Sequence, residues 1–165
     1  MSVFMHWFKC LGVVLLCITL LGYTAVHKAS GEETTVPEVV QLEEEVHQLI
    51  NDYRISQNLS PLISHEIITR QARMHSRAMA TKRIPVDHSG FDQRVEIISQ
   101  SLPLSAAAEN IAYHRGDSHC AEGVTQNWLK STAHRNNIEG DYHLTGIGVA
   151  MDSQGACYIT QIFWK

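Results

Sequence analysis

Little in this 165-residue chain suits a nucleic acid partner. Lys and Arg number 13 against 17 Asp and Glu, a formal charge of -4, and no dense basic stripe is present. A phosphate backbone has nothing to grip. Internal repeats and low-complexity tracts are missing too, which sets aside repeat architectures. Cysteine is scarce, at four residues: Cys10, Cys17, Cys120 and Cys157. No pattern marks a firm nucleophile. What remains is 44% hydrophobic and 18% charged, an ordinary globular composition in a chain long enough for one domain with a real core. The histidines, 10 in number, are the one surplus, a supply of proton carriers or metal ligands.

Long apolar runs are limited to the N-terminus. A short front carrying Lys9 precedes almost unbroken apolar residues from Cys10 to Leu21, which thin out before polar residues begin at His27. Residues 1–29 therefore have the layout of a secretory signal. The run falls slightly short of the roughly 20 residues of a comfortable membrane span. Neither Ala25 nor Ala29 has a small residue two places before it, so a retained signal anchor stands as the alternative to cleavage. Either way the domain is exported: secreted, periplasmic or held in the cell envelope, with no membrane span after processing unless the N-terminus stays uncleaved as an anchor. Residues 30–38 read as a polar linker and 39–165 as the domain. Export changes the cysteine arithmetic. Cys10 and Cys17 fall in the signal, and Cys120 and Cys157 outside the cytosol most simply form one disulfide. A Cys120 nucleophile beside His119 is the rival reading, but adjacency in sequence does not bring a base near in space.

Helical spacing comes first along the domain. Leu42, Val46, Leu49, Ile50 and Tyr53 mark one helix, with Pro37 suited to its first turn and Glu43, Glu44 and Glu45 read as a solvated face near its positive end. Pro61 breaks it. Ser64 can cap a second helix with Ile68, Ala72, His75 and Met79 on one face, which makes His75 a core or boundary histidine rather than a ligand. A loop holding Pro85, His88, Ser89 and Gly90 leads into a third helix. "AENIAY" suits a brief strand. Val124 and Trp128 suggest a fourth helix stopping near Ser131. Two strands joined at Asp152–Gly155 close the chain, with Tyr158, Thr160, Ile162 and Trp164 on one side of the last and Ile159, Gln161 and Phe163 on the other. The fold class is α+β. Within "AAAENIAYH", three alanines let neighbouring backbone approach, so Glu109 should be enclosed and in need of a partner.

In order, "LINDYR", "HSG", "AENIA", "WLKSTAHRNNI", "GIGVA" and "YITQIFW" resemble the CAP (SCP) superfamily of cysteine-rich secretory, antigen 5 and pathogenesis-related proteins, from about Val39 to the C-terminus. Trp128, Ser131, His134 and Arg135 resemble its bacterial branch. The resemblance implies a three-layer α-β-α sandwich with a small antiparallel sheet between helices, and extracellular life. It also implies a cleft tetrad of two histidines and two acids, sometimes holding a divalent metal. His88 and Glu109 match the first histidine and first acid. The second acid falls on Ser131 and the second histidine on Tyr158, so those two are replaced. His134 is expected to face the same cleft instead, with Ser131 and Tyr158 on its rim.

Two imidazoles and a carboxylate can hold Zn²⁺ with an open position, or the carboxylate can simply orient a histidine. A buried polar network without metal or turnover is the plainer alternative. The leading expectation is an exported, non-catalytic binding module for a small apolar ligand or a cell-surface partner, beside a His/Glu cleft. A metal-dependent extracellular hydrolase of peptides or envelope polymers is the alternative. A surface protein that needs no site is the third. His114, His119 and His143 are expected in exposed loops. The Arg115–Asp117 "RGD" tripeptide and the Asn58-Leu59-Ser60 glycosylation pattern, which Pro61 follows, are short enough to arise by chance.

Overall fold

A computed structural model describes residues 36–115 and 119–165. The expected signal, most of the expected linker, and Gly116 and Asp117 lie outside them. Among the described residues the order is α1 (Val36–Ser56), β1 (Ile63–Ser64), α2 (Glu66–Ala80), α3 (Phe91–Ser99), β2 (Ala107–His114), α4 (Cys120–Lys130), α5 (Thr132–Glu139), β3 (Leu144–Met151) and β4 (Cys157–Trp164). The strands form one sheet in the order β1-β3-β4-β2. Its three long strands are antiparallel, with Glu109 opposite Ile162 and Gly148 opposite Thr160. The sheet as a whole is mixed, because β1 runs parallel to β3. Helices cover both faces, and α5 was not anticipated from the sequence.

The alternation along β4 explains the layering. All eight of its residues are buried, so both faces must be covered. Ile159 and Phe163 join Val46 and Ile50 of α1, Val124 and Trp128 of α4, Ile138 of α5, and Ile147 and Val149 of β3. On the opposite face, Ile162 and Trp164 meet Ile68, Ala72 and Ile98, while Tyr158 meets Met79, Ala80 and Ile111. The α2 backbone lies close against β3 because Gly146 and Gly148 face it. A Cβ at either position would overlap the backbone of Ile68 and Thr69 or of Ala72 and Arg73.

Two local expectations change. Ser64 lies in β1, and His65 occupies the N-cap of α2 without a side-chain bond; β1 takes Ser64 because the backbone there pairs with β3. Glu43 is buried rather than solvated. Its carboxylate accepts from Arg73 Nε at 2.9 Å and from the Val149 amide at 3.1 Å, tying α1 to α2 and β3. Only the third dimension could supply those partners.

Strand β2 is an edge, and unpaired edges invite association. Here the helices close it. Trp128 Nε1 donates to the Ile111 carbonyl at 3.1 Å, and Asn137 Nδ2 donates to the Glu109 carbonyl at 3.3 Å. Asn137 also donates to Asn110 Oδ1 at 2.9 Å, while Asn110 Nδ2 donates to the His134 carbonyl at 3.1 Å. Much of "WLKSTAHRNNI" therefore fastens α4 and α5 onto β2. A disulfide joins Cys120 at the start of α4 to Cys157 at the start of β4, 37 residues on.

Candidate functional site

Glu109 projects from β2 toward α3, and its residue is 5% exposed. Arg94 stands on the buried side of α3 with Ile98 one turn later. Its Nε donates to Glu109 Oε2 at 2.9 Å and its Nη2 to Oε1 at 2.8 Å. This forked geometry suits a buried carboxylate. The loop before α3 brings the third member. Asp87 accepts the Ser89 amide at 2.9 Å, Gly90 takes the left-handed conformation at φ 75°, and Arg94 Nη1 donates to the Ser89 carbonyl at 2.9 Å. His88 is thereby placed with Nδ1 at 3.0 Å from Glu109 Oε1. A carboxylate can only accept, so Nδ1 carries the hydrogen. The rest of the His88 ring is largely exposed, with 57% of its side chain open.

The other site candidates are placed differently. His134, on α5, makes no hydrogen bond or ion pair with Glu109 or His88 among the described residues. Its ring lies 6.4 Å from that of Trp128, and its Nδ1 is buried without a partner. Burial, and then the charge of His88, lower its pKa. Tyr158 lies opposite Tyr113, four residues along β2 from Glu109. Its hydroxyl is 3.2 Å from Asp152 Oδ2 at the hairpin end, and burial followed by Asp152 raises its pKa. Ser131 caps α4 and starts α5, contributing backbone rather than side-chain bonds. His119 and His143 are exposed, and the His114 ring packs against Gly123.

Two residues were not anticipated at the site. Arg94 had a signal: a guanidinium on the same helix face as Ile98 calls for a buried acid. His75 was expected in the core and is there, at 4% exposure. It borders a cavity of about 400 Å³ between α2 and α3, whose lining includes Met74, Ala78, Ile84, Ile97, Ser89 and Arg94. A second cavity of about 280 Å³ between α1 and α2 includes Glu43 and Arg73, already paired with each other.

The donor set as placed does not suit Zn²⁺. A metal at Glu109 would have to displace a bidentate guanidinium and the His88 N–H. Among the described residues, no group of three or more His, Cys, Asp or Glu side chains is close enough to hold a metal ion.

Fold and site thus define a three-layer sandwich with a buried carboxylate paired to Arg94, a residue that lines the groove between α2 and α3. The chain belongs to the cysteine-rich secretory protein (CAP) family, whose model matches residues 47–163. It is 31% identical over 147 residues to YkwD of Bacillus subtilis (strain 168), an alignment that takes in 86% of this chain and 54% of that protein. The chain thus spans about half the length of that relative. Two solved structures share the fold. One is an outer surface protein of Borrelia burgdorferi (TM-score 0.65, 19% identity, 76% of this chain and 92% of that one). The other is an extracellular protein containing a SCP domain from Bacillus anthracis (TM-score 0.65, 23% identity, 81% and 44%).

Proposed function

We propose that this CAP domain is an exported, non-catalytic binding module in which the His88–Glu109–Arg94 cluster stiffens the mouth of the groove between α2 and α3. One observation carries the reading. Both oxygens of Glu109 are committed to Arg94, and one of them also to His88. A carboxylate so engaged is neither a free base nor an open metal ligand. The neighbouring groove falls within the size range of small-molecule sites and has apolar walls with a few polar groups. Export is supported by the N-terminal signal pattern and by the outer-surface and extracellular descriptions of the two structural relatives. No helix among the described residues is long and apolar enough to cross a membrane.

The test compares binding with turnover. An uncharged apolar dye such as Nile red should bind saturably, and Ala78→Phe, which narrows the groove, should remove it. Zn²⁺ calorimetry on the wild type, His88→Ala, Glu109→Gln and His134→Ala should show no site that these changes abolish. Hydrolysis of peptides or envelope polymers that requires Zn²⁺ and vanishes in Glu109→Gln would replace this reading with the metallohydrolase. Mass spectrometry of the exported protein should find a new N-terminus; an intact Met1 would mean a retained anchor.

A further inference from the structure

The cavity of about 280 Å³ between α1 and α2 shares no lining residue with the groove between α2 and α3. It lies at an interrupted sheet edge. Strand β1 stops at Ser64, so beyond Thr145 no strand flanks β3 on that side. Glu43 occupies part of the gap by accepting the Val149 amide. Helical spacing turns one row of each helix toward the cavity: Glu43, Glu44 and His47 of α1, and Glu66, Thr69 and Arg73 of α2.

Charge in this cavity is one-sided. The Arg73 guanidinium is held by the Glu43 carboxylate in a forked pair. Glu44 and Glu66 are exposed, and neither makes an ion pair among the described residues. Three carboxylates therefore meet one committed guanidinium, and the wall is anionic. Thr69 adds an observation of a different kind. It is 7% exposed and lines the cavity, yet its hydroxyl makes no hydrogen bond among the described residues. Buried hydroxyls are normally partnered, and a group entering the cavity would supply what this one lacks. Half-buried His47 bonds Leu62 and Asn51 through Nε2, which leaves Nδ1 uncommitted. These groups differ from His75, whose Nδ1 meets Thr160 Oγ1 at 3.1 Å within the core.

The lining narrows the class of occupant. An anion would meet Glu44 and Glu66, with the one cation already taken. A hydrocarbon ligand would find only Val40 and Ile147. A bare metal ion needs close donors, and among the described residues no three His, Cys, Asp or Glu side chains provide them. We propose that the cavity binds a small organic amine. Its ammonium donates to Glu66 and to the Thr69 hydroxyl, one turn apart on α2, while Glu44 faces it from α1. This inference stands apart from the groove between α2 and α3 and does not depend on what that groove binds.

An NMR titration of the ¹⁵N-labelled exported protein at pH 7 tests it with butylammonium, 1-butanol, tetramethylammonium and butyrate. Butylammonium should saturate shifts of the amides around Glu43–His47 and Ser64–Thr69. It should bind at least about tenfold more tightly than the other three, the ratio that a charge-assisted hydrogen bond supports. Glu66→Gln, an exposed and conservative change, should weaken it by a similar factor, and Glu44→Gln by less. Thr69→Val should weaken it too, whereas Thr69→Ser, which keeps the hydroxyl, should restore binding. Equal binding of 1-butanol or tetramethylammonium would overturn the inference, since neither charge alone nor a hydroxyl alone is what the cavity is argued to read. Tighter binding of butyrate would make Arg73 the anchor and overturn it as well. So would unchanged affinity in Glu66→Gln, shifts confined to the groove between α2 and α3, or no binding at all. Tighter binding of Nα-acetyl-lysine N-methylamide than of butylammonium would overturn the free amine in favour of a lysine side chain on a polypeptide.

Discussion

On one face of the sheet, α1, α4 and α5 join β3 and β4 in a single apolar cluster, with the Cys120–Cys157 bridge within it. On the other, α2 takes part in two smaller clusters, one of them shared with α3. Between these, along α2 and β4, come His75, Ser76 and Thr160, with Arg94 and Glu109 alongside. Strand β4 serves both faces and is buried throughout. Burial is therefore not what separates them. Both faces enclose polar groups with distant partners: Arg54 on the first reaches the Ile138 and Gly140 carbonyls, whereas the second holds the Arg94–Glu109 ion pair with a neutral histidine near it. Such groups weigh little in a hydrophobic count and much in what happens when one partner is lost.

The largest expected effect breaks that second face. Arg94→Met leaves Glu109 buried without its cation and should cost about 3–5 kcal/mol in urea unfolding. The double change Arg94→Met with Glu109→Leu should recover most of the loss, because an apolar pair needs no desolvation of charge. If the single and double variants are equally unstable, the pair is not what holds this face.

The next effect belongs to the first face. Replacing both Cys120 and Cys157 by Ala releases a 37-residue separation and should lower stability by about 3–4 kcal/mol on loop-entropy grounds. Peptide mapping without reduction should recover the linked pair. Two alkylatable thiols in exported protein would remove the bridge from the comparison.

A pH titration of stability then distinguishes the faces without mutation. His75 has a folded pKa of about 4 against roughly 6.5 when unfolded. Between those values the unfolded chain binds a proton that the folded chain does not. Stability should therefore fall as pH drops from about 6.5 toward 4, by at most roughly 3 kcal/mol from this group, and level off below. The lowered pKa of His134 acts in the same direction. His75→Phe should flatten the slope; an unchanged slope would assign it elsewhere.

The smallest expected effect concerns the β2 edge. Trp128→Phe keeps the ring packing but removes the N–H that reaches the Ile111 carbonyl. A loss of about 1 kcal/mol is expected, with faster amide exchange confined to β2. Unchanged exchange there would mean that the edge is closed by packing alone.

Much of this fold could be read in one dimension. Val46 and Ile50, or Ile68, Ala72, His75 and Met79, repeat at helical spacing because a helix returns the same face every turn. β4 alternates because a strand does so every second residue. The closing hairpin also announced itself: Asp152 accepts the Gln154 and Ala156 amides, and Gly155 takes φ 74°. Helix α5 was missed because its eight residues bury only Ile138, leaving almost no apolar period to detect. Its hold on the structure comes from Asn110 and Asn137 reaching across to each other's elements, which no local pattern reveals.

The site divides along the same line. That Glu109 is enclosed followed from three alanines and an apolar flank, and His88 was reachable through the family motif. That Arg94 is the principal partner was decided only when α3 packed across β2, because a carboxylate takes whichever cation the fold delivers. The sequence by itself determined which residues are apolar at which period, and hence the elements and the sheet's two buried faces. Tertiary structure decided which polar groups meet, since a hydrogen bond works over about 3 Å while His75 and Thr160 lie 85 residues apart in the chain.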